Sequence, residues 1–478
     1  MEQIDRVDRI CQAVKNGNDW LNGIVWGVPA LVLLTGVGLL LTLGLKGFQF
    51  RKFGYAMKNT LGKMFRKQKA RTGEVTPFQA LTTALAATVG TGNIAGITSA
   101  VTLGGPGSIF WLWASALLGM ATKYSEVLLS VKFRERNAHG DWVGGPMYYI
   151  RNGLGKRWKW LGAVFCVFGG LASFGIGNAV QIGNITDSVN TAIQAFIPSA
   201  AEHQTTINIV LALFLMAVVG IVLLGGVKRV GSVTEKLVPL MSVIYIAACL
   251  AVVLTNVTRV PHVFATIFQG AFTPRAVTGG AAGMTVKRCI EWGVKRGVFS
   301  NEAGLGSAPI AHAASSESDP VKQGLYGIFE VFMDTIVICT LSGLTLLLAL
   351  DESALRYGVE GTTALNAQAL GTVFGGKAGA LIIAVGLSLF ALSTVLSWGL
   401  YGTRCWEFLL GSRAIKPYQF IFTFVVVVSA TMDLSLAWSI ADTLNGLMAI
   451  PNLIALIVLC PVVFRMTREH FAPGHRLK

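Results

Sequence analysis

Three polar clusters inside otherwise apolar stretches carry residue types that handle ions and zwitterions. The first is the run Ala87-Thr88-Val89-Gly90-Thr91-Gly92-Asn93-Ile94-Ala95-Gly96, in the middle of the apolar segment 78–103. Each glycine there lowers helix stability by about 1 kcal/mol relative to alanine. In hydrocarbon, any backbone N–H or C=O released by a break must find a partner inside the protein or in a water-filled cavity. A helix interrupted at mid-membrane presents those dipoles to a small ion or a zwitterion. The same glycines would also serve a close helix–helix contact, and the run by itself leaves both readings open.

The second cluster is Gly297-Val298-Phe299-Ser300-Asn301-Glu302-Ala303-Gly304-Leu305-Gly306, which again mixes glycines with Ser and Asn. The third is Phe390-Ala391-Leu392-Ser393-Thr394-Val395-Leu396-Ser397-Trp398. Its three hydroxyls fall within about one helical turn, and Trp398 stands four residues after Thr394, on the same face. Hydroxyl oxygens and freed carbonyls are hard ligands suited to a small hard cation. Ser and Thr in a membrane helix also bond their own backbone or a neighbour. The cluster with a Trp, in a chain with interrupted helices, favours the ligand reading.

Membrane helices must position these clusters. Hydrophobic residues make up 53% of the 478 and charged ones 13%, with mean hydropathy +0.61, a composition made for lipid. Apolar stretches of about 20 residues recur: 24–45, 78–101, 108–129, 161–186, 207–224, 238–254, one inside the difficult region 263–314, 328–349, 380–401, 420–431 and 436–463. No cleavable signal peptide is expected, because the first 20 residues are polar and lack a basic-then-apolar start.

The net charge of +15 would suggest nucleic acid in a soluble protein. Here the basic residues fall in alternate loops, after the first, third, fifth, ninth and last stretches: Lys46 to Arg71, Lys132 to Arg136, Lys228 to Lys236, Arg404 to Lys416, and Arg465 to Lys478. The intervening loops 104–107, 198–206, 351–363 and 432–433 are poor in Lys and Arg. That is the positive-inside pattern. It predicts an outer N-terminus, about eleven spans and a cytoplasmic C-terminus, with no nucleic-acid partner.

Several chemistries are excluded. The seven cysteines form no CxxC pair and the six histidines are dispersed, so no disulfide or metal cluster is expected. No hydrolase elbow is present, and no Walker lysine follows a glycine run. Gly90-Thr91-Gly92-Asn93-Ile94-Ala95-Gly96 is GxGxxxG rather than the dinucleotide fingerprint, and it lies in a membrane segment. An enzyme would need a nucleophile with a base or a metal, and neither is found. A channel would also have polar, broken helices, but usually with ligands around an oligomer axis.

Inverted repeats in transporters place a second interruption at the matching position of the other half. If the first stretch is an addition, the partner of the first break lies in the sixth core helix. Thr278-Gly279-Gly280, with Gly283 close by, is one candidate; the run 297–306 is the preferred one. This choice sets Lys287, Arg288, Lys295 and Arg296 on the outer half, where an amphipathic helix would turn them to a water-filled vestibule. Charged groups within spans are functional suspects: Glu330 and Asp334, four apart on one face, and Asp442 with Asn445, are candidate gating groups. Lys123 and Glu126 mark the inner end of the second core helix. Paired groups bracing helix contacts account for the same residues, as does a proton-coupled variant.

Residues 88–96 with Gly104-Gly105-Pro106-Gly107, the segment Val143-Gly144-Gly145-Pro146-Met147-Tyr148-Tyr149, and the run 297–312 together resemble the alanine or glycine:cation symporter family (sodium:alanine symporters), of the amino acid–polyamine–organocation group. The likeness runs along almost the whole chain. It implies an all-α polytopic membrane protein: one extra N-terminal helix, then a 5+5 inverted repeat like the bacterial leucine transporter, with the first and sixth core helices unwound. On that reading one domain fills 1–478, divided into an N-terminal segment 1–72 and repeats 73–256 and 257–478. The implied activity is sodium-coupled import of small neutral amino acids across the inner membrane: alanine, with glycine and D-alanine. Proton-coupled or glutamine-preferring permeases share the pattern. No obligate protein partner is implied, and sodium is the coupling ion.

The resemblance also implies site roles. Backbone N–H groups of Thr91, Gly92 and Asn93, after the Gly90 break, meet the substrate carboxylate at the positive end of a half-helix. Carbonyls of Ala86, Val89 and Phe390 with hydroxyls of Ser393 and Thr394 form one sodium site. Trp398 and Phe174 are walls leaving room for a methyl side chain, Gln181 is a polar substrate contact, and Phe299 is a further contact from the sixth core helix.

Overall fold

A computed structural model describes residues 15–64, 74–273 and 285–472. The Thr278–Gly280 alternative for the second break, Cys11, and the basic residues 66–71 and 475–478 lie outside them. The chain is mostly helical. The helices that matter here are α1 (Lys15–Val25), α2 (Val28–Gly44), α3 (Pro77–Thr88), α4 (Ala95–Gly104), α5 (Ser108–Lys132), α6 (Lys159–Phe174), α7 (Val180–Phe196), α8 (Gln204–Leu223), α9 (Gly226–Thr255), α10 (Val260–Phe272), α11 (Val286–Asn301), α12 (Ala308–His312), α13 (Pro320–Val331), α14 (Thr340–Ala349), α15 (Thr363–Phe374), α16 (Gly376–Leu410), α17 (Ile415–Ser429) and α18 (Leu434–His470).

Among the described residues six continuous helical segments are long and apolar enough to cross a membrane: Lys156–Phe196, Pro198–Leu223, Gly226–Thr255, Pro320–Ala349, Gly376–Leu410 and Leu434–His470. Two bent pairs, α1 with α2 at 41° and α3 with Thr91–Gly104 at 54°, raise this to eight. The expected stretch 108–129 is helical but outside that set, as are α17 over most of 420–431 and, within 263–314, the helices α10, α11 and α12. The interior residues Lys123 and Glu126 lower the apolarity of α5. The helix α11 has 16 residues and carries Lys287, Arg288, Lys295 and Arg296. At 15 residues, α17 reaches roughly 22 Å of the 30 Å hydrocarbon core.

Helix starts follow from local chemistry. Thr76 accepts from the Gln79 N–H while the Gln79 side chain accepts from the Thr76 N–H, closing a capping box before Pro77. Asp319 caps α13 through the N–H groups of Val321 and Lys322, with Pro320 following. Asp433 caps α18 at Leu436; that bond and one from Ser435 hold its carboxyl below the usual range. Where α3 begins, Val75 pairs with Ser315 in a parallel bridge, donating to the Ala314 carbonyl and accepting from Ser316. The start of one interrupted helix is thus tied to the end of the other. A short antiparallel ribbon, β1 (Glu135–Arg136) with β2 (Trp142–Val143), follows α5.

The layers sort by lipid exposure. On α8, Val210, Leu213, Phe214 and Ile221 are exposed, as are Leu240 and Val243 on α9 and Phe420, Ile421 and Phe424 on α17. These apolar faces suit hydrocarbon. Helix α16 lies inside, packed against α3, α6, α7, α9 and α15, and α5 packs against α2, α11 and α13. The core therefore closes around α3, α11, α13 and α16, the elements that carry the polar clusters.

Candidate functional site

The first interruption runs from Val89 to Ile94. Helix α3 ends with Val89 donating to Leu85, Gly90 is extended at φ −136°, ψ −152°, and Thr91–Asn93 makes one 3₁₀ turn before α4. The Asn93 side chain closes the loop by accepting from the Gly90 N–H at 2.8 Å. A side chain at Gly90 is ruled out by close approach: its Cβ would fall 2.4 Å from Thr394 Oγ1 and 3.4 Å from Gln181 Oε1. The glycine thus admits α16 and α7 to the break.

Four oxygens converge beside it. Thr394 Oγ1 donates within 2.9 Å of the Ala86 carbonyl and 3.0 Å of the Phe390 carbonyl. Ser393 Oγ lies 2.8 Å from the Phe390 carbonyl and 3.3 Å from that of Ala86. The set couples α3 to α16 and is fully buried. Two carbonyls and two hydroxyls are hard donors of the kind an alkali cation takes. Four of the five expected ligands are thereby brought together; no hydrogen bond draws Val89 into the set.

The walls differ from expectation in part. Gln181 accepts from the Thr91 N–H at 3.4 Å and donates to Ile176. Phe299 lies against Gly92, whose Cβ would stand 3.3 Å from its ring. The ring of Phe174 packs against Tyr418 and Phe422 on α17. The cause is the π-helical turn Gly175–Ala179 between α6 and α7. Its extra residue rotates Gln181 towards the break and leaves Phe174 on the other side. Trp398 packs over Gly177 and donates its indole N–H to Glu302 Oε1 at 2.8 Å.

Glu302 marks the second interruption. Helix α11 stops at Asn301 with Glu302 left-handed at φ 56°, an uncommon state for a non-glycine residue. Its carboxyl accepts from Trp398 and, at 2.5 Å, from Ser307 Oγ. Gly304, at φ 92°, donates its N–H to Glu126 Oε1 at 3.0 Å. Asn452 of α18 bonds both Glu126 and the Gly304 carbonyl and pairs with the Tyr149 hydroxyl. Two buried carboxyls therefore hold the loop open. Glu302 belongs to the motif read from the sequence without receiving a role, although a carboxylate within an apolar span was the available signal.

Asp334 joins the two interruptions. It accepts from Asn93 Nδ2 at 2.6 Å, from Ser300 Oγ at 2.9 Å and from Thr335 Oγ1 at 2.7 Å. Asn93 belongs to the first break and Ser300 to the last turn before the second. Glu330, one turn earlier, serves another network: Lys123 Nζ at 3.1 Å and His312 Nε2 at 3.1 Å, with Gln323 on His312 Nδ1 at 2.8 Å. The π-helical segment Phe332–Cys339 starts between them.

Asp442 pairs with Lys295 at 2.7 Å and lies 3.5 Å from Arg296. The expected vestibular charges Lys295 and Arg296 thus turn to α18, while Lys287 pairs with Glu291 on the surface. The Arg296 guanidinium sits over Trp438 and near Phe299, and those two rings are 5.0 Å apart. Buried side-chain atoms without a partner among the described residues include Thr91 Oγ1, Ser397 Oγ, Arg296 Nε, and both polar atoms of Asn445. Orphaned groups in a buried place point to a polar ligand. Asn445, one turn past Asp442, adds to the candidate lining.

Known proteins resemble this arrangement along its length. The profile of the sodium:alanine symporter family matches residues 11–476. An uncharacterized transporter of Haemophilus influenzae is 46% identical, covering 94% of this chain and 95% of that protein. The sodium/alanine symporter AgcS of Methanococcus maripaludis is 44% identical over 94% and 95%. Among solved structures, the crystal structure of MhsT in complex with L-phenylalanine superposes with TM-score 0.57 at 14% identity, covering 83% of this chain and 99% of that one. The fold is therefore that of the leucine-transporter type.

Proposed function

The chain belongs to the sodium:alanine symporter family, a family of multi-pass membrane transporters rather than enzymes, and on that premise we propose that it imports alanine, with glycine and D-alanine, by sodium symport. Sodium-coupled symport of amino acids is the activity of that family. The substrate is preferentially alanine, the coupling ion a single sodium, the membrane the inner one, and the N-terminus outside.

One observation carries it: the Ala86 and Phe390 carbonyls and the Ser393 and Thr394 hydroxyls converge next to the Gly90 break. Sodium, as co-transported substrate, takes those oxygens. The amino acid carboxylate meets the N–H groups of Thr91, Gly92 and Asn93, with Gln181 and the orphaned Thr91 hydroxyl beside it. Phe299 closes on Gly92, which favours a small side chain on the substrate. Cation and carboxylate held on two sides of one glycine stabilise each other, and that mutual stabilisation is the coupling. Alternating access then moves the half-helices around the loaded site. Asp442 with Arg296 closes the side towards Trp438, and Glu330 with Lys123 braces the other.

Uptake of labelled alanine into proteoliposomes tests this. An inward sodium gradient is expected to accumulate alanine, equal sodium on both sides to abolish accumulation, and glycine and D-alanine to compete. Accumulation driven by a proton gradient without sodium, or glutamine competing better than alanine, would contradict the proposal.

A further inference from the structure

At the end of the bundle where α2 and α18 finish, a cavity of about 440 Å³ opens between Gly44, Leu45, Phe48, Phe464 and Phe471. Four cations line it: Lys46, Arg51, Lys52 and Arg468. No acidic residue lines it, and among the described residues none of the four cations is ion-paired. Lys52 stands over the Phe471 ring, 5.0 Å from its centre, and Arg51 reaches only the Lys46 carbonyl, at 3.4 Å. The floor is firm: the Phe48 ring packs tilted against Tyr124 at 4.9 Å and against Phe471 at 5.5 Å. Orientation by positive charge needs cations in this loop, but it does not need a walled cavity between two helix ends.

We propose that this cavity binds the head group of an anionic phospholipid. The phosphate sits among the four cations, and the glycerol and upper acyl chain lie on Leu45 and the phenylalanine rings. The chemistry matches on both counts: basic pockets between membrane helices take anionic head groups, and an aromatic floor suits the interfacial depth.

Native mass spectrometry of the full chain, titrated with phosphatidylglycerol, phosphatidylcholine or inorganic phosphate, tests it. One phosphatidylglycerol should be retained in preference to phosphatidylcholine. Each cation removed should weaken that binding about fivefold. The variant Lys46→Gln/Arg51→Gln/Lys52→Gln/Arg468→Gln should therefore lose it. Lys46→Gln/Arg468→Gln, which changes two exposed side chains and keeps the fold, should weaken it about 25-fold. Lys156→Gln/Arg157→Gln, removing two exposed charges elsewhere, should leave it unchanged. Equal retention by wild type and the double variant would overturn the proposal. So would an equal loss in the Lys156/Arg157 control, or displacement of the lipid by millimolar inorganic phosphate.

Discussion

Gly90→Ala examines the joint between the first break and α16. The new Cβ would stand 2.4 Å from Thr394 Oγ1, about 1 Å inside ordinary contact. Relief requires Thr394 to rotate away or α16 to retreat. Rotation takes away the single proton that Thr394 Oγ1 shares between the Ala86 and Phe390 carbonyls and leaves a buried hydroxyl unpaired, a penalty of about 2 kcal/mol. In the cation site the same displacement removes one of four oxygens. Sodium activation of uptake should then need about 30-fold more sodium, and thermal unfolding in detergent should move down by about 2 °C. Adding Thr394→Ala removes the colliding oxygen and leaves Gln181 Oε1 at 3.4 Å and Thr394 Cβ at 3.5 Å as the next neighbours. The double variant should regain most of the lost stability while its sodium dependence stays poor. If the two substitutions simply add in stability, Gly90 and Thr394 do not touch and the geometry is wrong.

Three further outcomes follow from the buried polar network. Asp334→Asn sets an amide N–H against donors from Asn93, Ser300 and Thr335, so maximal uptake should fall at least about tenfold with the protein still folded; wild-type uptake would remove Asp334 from the link between the breaks. Lys123→Met leaves Glu330 buried without its cation, which costs about 3–5 kcal/mol, and the yield of folded protein should drop sharply. Lys123→Met/Glu330→Gln should restore it, as read by size-exclusion chromatography; an unrescued double variant denies the pairing. Glu302→Gln keeps an acceptor for the Trp398 indole and should preserve selectivity. Glu302→Ala frees Trp398 and should admit larger amino acids in competition assays, and identical selectivity in the two variants would dismiss this role.

How far the sequence reached differs from residue to residue. The first break was legible because Gly90, Gly92 and Asn93 interrupt an apolar segment, and local composition alone marks such a place. The run 297–306 was legible for the same reason, and α11 does stop within it, at Asn301. The relative facing of Phe174 and Gln181 was not legible, because a π-helical turn between them breaks the regular helical register and no hydrophobic pattern signals that turn. The partners of Trp398 and Asp334 depend on which helices lie side by side, since Glu302 and Asn93 are 96 and 241 residues away. Lys123 and Glu126 lower the apolarity of α5 yet are fully buried, and the partners that let them stay there depend on helices distant in sequence.

The central claim is that Thr394 places a hydroxyl on the transported cation. Sodium activation of alanine uptake in Thr394→Val and Thr394→Ser proteoliposomes tests it most directly, because valine keeps the shape and loses only the oxygen. Half-saturating sodium should rise about tenfold or more in the valine variant and stay near wild type in the serine variant. An unchanged sodium dependence in Thr394→Val, with uptake intact, would contradict it.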